Sequence, residues 1–249
     1  MSHLSSIISK FQGISLGEMD EVKLMNRTDK KYWFCQDMLT PILEDIAQDY
    51  FILEVSGERN LPYSTTYYDT ESNEMFQNHH RGKLNRYKIR RRNYISTQSS
   101  FMEVKFKSNK GRTIKTRQTC DYNISGFSDS EREFIAKNTP YSCDKLRKVL
   151  ENRFYRLMLV SRSMDERCTI DSSLSFSGEG GSSSLDNMVI VEVKRDGKSP
   201  SRIIDALNAR RIKPSGFSKY CICRSYIDQG LKRNNFKGKL REIGRKTGN

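Results

Sequence analysis

The run Arg86-Tyr-Lys-Ile-Arg-Arg-Arg92, followed by Phe101-Met-Glu-Val-Lys-Phe-Lys107, decides the fold. In an extended strand successive side chains point to opposite faces, so Arg86, Lys88, Arg90 and Arg92 share one face of the first run. In the second, Glu103, Lys105 and Lys107 share a face while Met102, Val104 and Phe106 share the other, which predicts a hydrophobic layer on the side away from the charges. The same split recurs where Thr113, Lys115 and Arg117 alternate with Ile114 and Thr116, and where Glu192 and Lys194 alternate with Val189, Val191 and Val193. A solvated sheet face mixes signs freely. This one is strongly cationic, with carboxylates only at Glu103 and Glu192, each in a Glu-x-Lys step. Such a face suits a phosphate chain: the cations neutralise it, and a few acids hold a divalent metal that bridges phosphoryl oxygens.

Working outward, period-2 segments predict strands at Thr28 to Phe34, Tyr63 to Asp69, Asn85 to Ile95, Phe101 to Lys107, Arg112 to Thr119, Asn152 to Ser161, Arg167 to Leu174 and Asn187 to Arg195. Helices are expected at Gln36 to Gln48, at Asp129 to Lys137 with Ser128 or Ser130 as N-cap, at Ser201 to Arg210, and from near Ser218. The expected class is therefore α+β, an antiparallel sheet of enough strands to close an eight-stranded β-barrel, with flanking helices. Ser177 to Ser184 reads as a flexible loop, and no stretch reads as an interdomain linker. Residues 21–230 are expected to form the domain, 1–20 a lead-in, and 231–249 a basic tail whose segment Lys232 to Lys246 is expected to be solvated or disordered.

Composition narrows the partners. The 249 residues include 44 Lys and Arg against 30 Asp and Glu, a formal charge of +14, which points to a polyanion. Hydrophobic residues make up 35% and mean hydropathy is −0.74. Purely apolar runs such as Met188 to Val191 fall far short of the roughly 20 residues that span a bilayer. The N-terminus lacks the roughly 7 to 15 consecutive apolar residues of a secretory signal, so a cytoplasmic location without a membrane span is expected. Cys35, Cys120, Cys143, Cys168, Cys221 and Cys223 form no C-x-x-C pair and read as free thiols. His79 and His80 read as loop or helix-end residues, not as metal ligands. Backbone phosphate cradles of the G-x-x-x-x-G-K-[ST] and G-x-G-x-x-G types are absent, so phosphates must be held by side chains. No Ser-His-Asp or Cys-His arrangement suggests covalent catalysis.

Read in order, Arg27-Thr-Asp-Lys-Lys-Tyr-Trp33, Tyr67-Tyr-Asp-Thr70, Lys88-Ile-Arg90, Glu103-Val-Lys105, Lys115-Thr-Arg117, Phe154-Tyr-Arg156, Arg167-Cys-Thr-Ile-Asp171, Val191-Glu-Val-Lys194 and Phe217-Ser-Lys-Tyr220 resemble the CYTH-like triphosphate tunnel metalloenzymes. The resemblance is specifically to the polyphosphate polymerase domain of the vacuolar transporter chaperone (VTC) family, and it covers most of the chain. It implies a tunnel whose catalytic cations are Lys88, Arg90, Lys105, Arg156 and Arg167. Further substrate contacts would come from Arg27, Lys31, Lys107, Lys115, Arg117, Lys194 and Lys219. Glu192 would hold Mn²⁺ or Mg²⁺, with Glu103 a second acid. Asp171 could take part or merely close a turn. The chain departs from the family at Gly216, where a second basic residue often precedes Phe-Ser-Lys; Lys213 could compensate. The resemblance is expected to extend to neither the N-terminal regulatory domain nor the membrane helices of the eukaryotic complexes.

The implied reaction passes the γ-phosphoryl group of ATP to a growing inorganic polyphosphate, with a membrane-protein partner left open. A triphosphatase using water, with Glu103 orienting it, is the alternative on the same fold. A nucleic-acid module built on Arg86 to Arg92 is the other, disfavoured because Glu103 and Glu192 would repel a nucleic-acid backbone.

Overall fold

The structure, a computed structural model, describes residues 3–20, 22, 27–122, 124–197 and 199–248; the side chain of Arg27 also lies outside what is described. Elements run in the order α1 (His3–Ile8), β1 (Gln12–Ile14), α2 (Leu16–Asp20), β2 (Arg27–Cys35), α3 (Leu39–Ile46), β3 (Tyr50–Leu53), β4 (Leu61–Thr70), α4 (Glu74–His80), β5 (Arg86–Tyr94), β6 (Ser99–Lys107), β7 (Thr113–Cys120) and α5 (Asp129–Asn138). They continue with β8 (Leu146–Ser161), β9 (Glu166–Gly178), β10 (Gly181–Leu185), β11 (Met188–Asp196), α6 (Arg202–Ala209), α7 (Lys219–Ile227) and α8 (Lys237–Thr247). All eight strands expected from alternation are present, in the order β2-β11-β9-β8-β4-β5-β6-β7 and antiparallel throughout.

Among the described residues no ladder joins β7 to β2, so the expected closed barrel is corrected to a curled sheet with two free edges. Curvature enters at register shifts between Tyr67 and Tyr68 opposite β8 and between Arg153 and Tyr155 opposite β9, since a bulge bends a strand and increases its twist.

The apolar faces lie outward under helices. Val189, Val191 and Val193 of β11 pack with Leu39, Ile42, Leu43 and Ile46 of α3 and Ile203 and Leu207 of α6. Ile89, Met102 and Val104 pack with Ile135 of α5. Each such side chain removed from water contributes about 1.5–3 kcal/mol. On β7 the expected apolar layer fails: Ile114 is 54% exposed, because this edge strand has no helix over it there.

Serine caps start the helices where expected. Ser128 and Glu131 form a reciprocal capping box on α5, Ser201 accepts from the Ile204 amide, and Ser218 accepts from the Cys221 amide.

Two loop expectations are corrected. Ser177 to Ser184 forms the β9–β10 hairpin, turning through Gly181 at φ +117°. A side chain at Gly180 would sit 2.2 Å from the Ile227 carbonyl oxygen, so only glycine lets α7 end against this turn. The basic tail folds as α8, with Ile243 and Thr247 buried and Lys239 and Lys246 laid over the Trp33 ring. His79 and His80 are the last residues of α4, as expected of helix-end histidines. All six cysteines are free thiols.

Candidate active site: a cation-lined cavity

Strand alternation turns the charged faces inward. Cross-strand partners share a face, and the ladder Arg86↔Lys107, Lys88↔Lys105, Arg90↔Glu103 continues through Lys105↔Lys115 on β7. At the other end Lys31↔Glu192 joins β2 to β11, and Asp171 pairs with Ile190 and with Arg156. Because the sheet curls, residues of all eight strands line one cavity of about 390 Å³. Among the described residues its wall holds eleven lysines and arginines against three carboxylates, Asp29, Asp171 and Glu192, so the cavity is a trap for an anion of several charges. One side is covered by Phe217, Ser218, Lys219 and Tyr220 at the start of α7.

The expected site residues separate into those brought together and those that are not. Lys31, Lys88, Arg90, Lys105, Lys107, Lys115, Arg156, Glu192, Lys194 and Lys219 line this cavity, together with Arg86 and Arg92. Glu103 lies beneath it, fully buried: Oε2 accepts from Arg90 at 2.6 Å and Oε1 is paired with Lys115. Arg117 does not line it; the side chain is exposed and its guanidinium lies 4.9 Å from the Phe101 ring centre. Arg167 does not line it either. Its guanidinium donates to the carbonyl oxygens of Met19 and Val22, the latter at 2.9 Å, and it borders a separate cavity of about 240 Å³ with Met158 and Lys194. Arg27 opens β2 opposite Asp196, but its side chain lies outside the described residues.

Three wall residues were not singled out as ligands by alternation. Ser218 accepts from Lys88 Nζ at 3.0 Å while capping α7, which ties the helix start to β5; its position one residue before Lys219 was the available signal. Tyr67 accepts from Arg90 at 3.4 Å, inside the quoted Tyr67-Tyr-Asp-Thr70 motif. His79 is held neutral: burial, with Lys88 and Arg86 beside it, lowers its pKa to about 3.

Crowding of like charge shifts the lysines. Arg90, followed by burial, brings the Lys105 amine down to about 6. Burial brings Lys88 to about 8, with Lys31, Arg90 and Arg86 adding to it. Burial also brings Lys219 to about 8, although Asp171 works the other way. For Glu192, burial favours the neutral acid, but Lys31, Lys194 and Lys105 outweigh it and hold the carboxyl at about 2. Glu103 and Asp171 are likewise held well below the usual carboxylate range, burial being outweighed by Arg90, Arg92 and Lys115 in the first and by Arg156 and Lys219 in the second.

Among the described residues no three His, Cys, Asp or Glu side chains gather into a metal cage. Glu103 and Asp171 are saturated by close cations, whereas Glu192 meets Lys31 at 3.4 Å and Lys194 at 3.8 Å, the looser pairing. One carboxylate fits Mn²⁺ or Mg²⁺ only as an ion that shares phosphoryl oxygens and keeps waters, which is the usual habit of Mg²⁺ at phosphate sites. Both oxygens of the expected second acid, Glu103, lie against cations, Oε2 against Arg90 and Oε1 against Lys115.

An antiparallel sheet curled around a cation-lined cavity, with helices outside and a helix start across it, is an architecture built to hold a polyanion. The chain belongs to the VTC domain family, whose model matches residues 26–227. A comparison with curated proteins gives no match. Among solved structures, an adenylyl cyclase candidate of Hippeastrum, described as having a dominant triphosphatase activity, is similar at 12% identity and TM-score 0.49, covering 81% of this chain and 96% of its own. A candidate adenylate cyclase of Bacillus halodurans is similar at 12% identity and TM-score 0.46, covering 78% of this chain and 96% of its own. A conserved hypothetical protein of Pyrococcus furiosus is similar at 9% and 0.40, covering 76% and 98%. These likenesses are too distant to carry chemistry. Among the described residues no helix is long and apolar enough to cross a membrane.

Proposed function

We propose that residues 21–230 form a polyphosphate polymerase domain that transfers the γ-phosphoryl group of ATP to the end of an inorganic polyphosphate chain. The observation that carries this reading is the convergence of eleven cations, from six of the eight strands of the curled sheet (β2, β5, β6, β7, β8 and β11) and from α7, on one cavity. A terminal phosphate oxygen attacks the γ-phosphorus, the bond to the β-phosphate oxygen breaks, and ADP leaves with the electron pair. The attacking group is already anionic, so no general base is needed, and catalysis comes from alignment and charge neutralisation.

Arg90 and Arg156 present planar guanidinium groups anchored by Glu103 and Asp171, and so hold phosphoryl oxygens in fixed directions. Lys31, Lys88, Lys105, Lys115 and Lys219 act as point charges around them. Glu192 would hold the Mn²⁺ or Mg²⁺ that neutralises bridging phosphoryl oxygens. Lys107 and Lys194 extend the cationic path towards the strand ends.

The triphosphatase reading relied on Glu103 to orient water, but its oxygens are occupied by Arg90 and Lys115. A nucleic-acid surface made by Arg86 to Arg92 is disfavoured because Arg91 is buried against α5, Ile89 and Tyr87 pack in the outer apolar cluster, and the other four cations line the cavity. Incubation with ATP and Mn²⁺, followed by a gel stained for polyphosphate and quantification of ADP and free phosphate, tests the proposal. A ladder with ADP supports it; free phosphate in step with ADP and no ladder transfers the chemistry to water.

A further inference from the structure

Asp171 lies on β9, directly across the ladder from Arg156 on β8. The two form a two-point pair: Arg156 Nε donates to Oδ1 at 2.6 Å and Nη2 to Oδ2 at 2.8 Å. The ammonium of Lys219, first residue of α7, closes on the same Oδ2. Aromatic rings fix the two cations from the side, with the Arg156 guanidinium 5.1 Å from the Tyr63 ring centre and the Lys219 ammonium 4.4 Å from that of Phe154. The side chain of Asp171 is 5% exposed and its cations 13% each, so the cluster is dry but borders the cavity. The pairing takes up the Nε–Nη2 edge of Arg156 and leaves the Nη1 side for another acceptor. A carboxylate fixed by its own strand in a cross-strand pair cannot withdraw when a phosphate arrives. It therefore backs the cations and does not compete with the substrate for them.

We propose that Asp171 is a positioning residue for phosphoryl transfer: it locks Arg156 and Lys219 into one geometry, so that the free guanidinium edge and the remaining ammonium protons meet the same phosphate chain, and it clamps α7 across the sheet. The proposal deepens the polyphosphate polymerase reading and rests on it. Its energetic signature is a split between binding and turnover. Removing a buried negative charge from a polycationic cavity does not weaken attraction for a polyanion, whereas loss of alignment lowers the rate of transfer.

A second signature is titration. The groups facing the Lys219 ammonium are Asp171 on β9, Arg156 and the Phe154 ring on β8, Lys31 on β2 and Cys223 within α7, with Glu192 of β11 across the same cavity. Asp171 is the carboxylate in contact with it, so its neutralisation lets the amine lose its proton at lower pH. Lys88 titrates in the same range but faces Ser218 and is left as it was.

The test compares wild type, Asp171→Asn and Asp171→Glu. Each is measured for ADP release from ATP with Mn²⁺ across pH, and for inorganic tripolyphosphate affinity by calorimetry across pH. Asn is expected to lower kcat roughly 100-fold with KM unchanged or lower. It should also move the alkaline fall of both turnover and tripolyphosphate binding to lower pH. Glu, which keeps the charge, should restore the alkaline limb and part of kcat. Tripolyphosphate affinity weakened in parallel with kcat at pH below the alkaline limb, where Lys219 keeps its proton in both proteins, or an alkaline limb unmoved by Asn, overturns the positioning role. If Asn unfolds the chain, the Glu variant decides: a wild-type limb with reduced kcat supports the proposal, and wild-type kcat rejects it. Wild type that binds tripolyphosphate but releases no ADP would sink the polymerase reading alone, leaving the binding limb to judge Asp171.

Discussion

Arg90 and Arg91 are adjacent in sequence and face opposite sides of the sheet, each against its own buried glutamate. Arg90 points into the cavity and pairs with Glu103 at 2.6 Å; Arg91 points outward and pairs with Glu131 of α5 at 2.7 Å, also donating to the carbonyl oxygens of Ile124 and Gly126. One step along a strand thus separates a functional cation from a structural one.

Arg91→Ala should leave Glu131 charged and unpaired in a dry environment and cost about 3–5 kcal/mol of stability. Tripolyphosphate affinity of the folded fraction should be unchanged. Arg90→Ala should do the reverse where binding is concerned. Denaturant titration beside calorimetry checks both, and a loss of affinity in Arg91→Ala equal to that in Arg90→Ala would contradict the assignment.

Lys105 gives a pH dependence with a definite sign. Its amine is held at about 6, by Arg90 first and by burial second, so above that pH it is largely neutral. A bound polyanion favours the charged form, so binding takes up a proton near neutrality and affinity falls as pH rises through about 6. Calorimetry of tripolyphosphate in two buffers of different ionisation enthalpy should show different heats for wild type, and more nearly equal heats for Lys105→Met. Equal wild-type heats would refute the coupling. Lys105→Ala should also abolish turnover without unfolding the chain.

Glu192→Ala should abolish Mn²⁺- or Mg²⁺-supported ADP release, a loss of at least about 100-fold, while the far-UV spectrum and melting temperature stay near wild type. Affinity for tripolyphosphate in a chelator should be retained or strengthened, because a carboxylate has been removed from a cationic wall. Turnover retained by this variant would reject Glu192 as the metal-holding residue.

Arg167→Ala should reduce turnover less than Arg156→Ala does. Its guanidinium is committed to the Met19 and Val22 carbonyl oxygens, so its loss should register as faster proteolysis of the N-terminal segment. A loss of turnover as large as that of Arg156→Ala, with proteolysis unchanged, would return Arg167 to the phosphate path.

The C-terminal helix offers a stability test. Ile243 is fully buried against the core that contains Trp33, and Ile243→Ala should cost about 2–5 kcal/mol. A midpoint in denaturant unchanged from wild type would show that α8 does not hold to the body of the protein.

Strand alternation carried most of the fold in legible form, because each strand has one dry and one charged face and the parity of Lys88, Arg90, Lys105 and Glu192 follows from it directly. Pairing at the ends was not legible: whether β7 reaches β2 depends on accumulated curvature from bulges, and no single residue announces that. Arg167 has inward parity, and only the partner that covers it, a helix of five residues without a readable period, removes it from the cavity. Glu103 read as a lumen acid because parity cannot tell a carboxylate offered to a metal from one consumed by Arg90 and Lys115. The tail read as solvated because its charge hid the spacing of Leu240, Ile243 and Thr247, and nothing local says that Trp33 needs a cover.

The unjoined edges at β2 and β7 bear on how the wall can move. Among the described residues β2 is laddered only to β11 and β7 only to β6, so no backbone hydrogen bonds tie the curl shut across the cavity. The distance between the Lys31 and Lys115 sides can therefore change through the bend of the sheet without the loss of a strand ladder, and the width of the cation-lined space is set by side chains and by what lies between them.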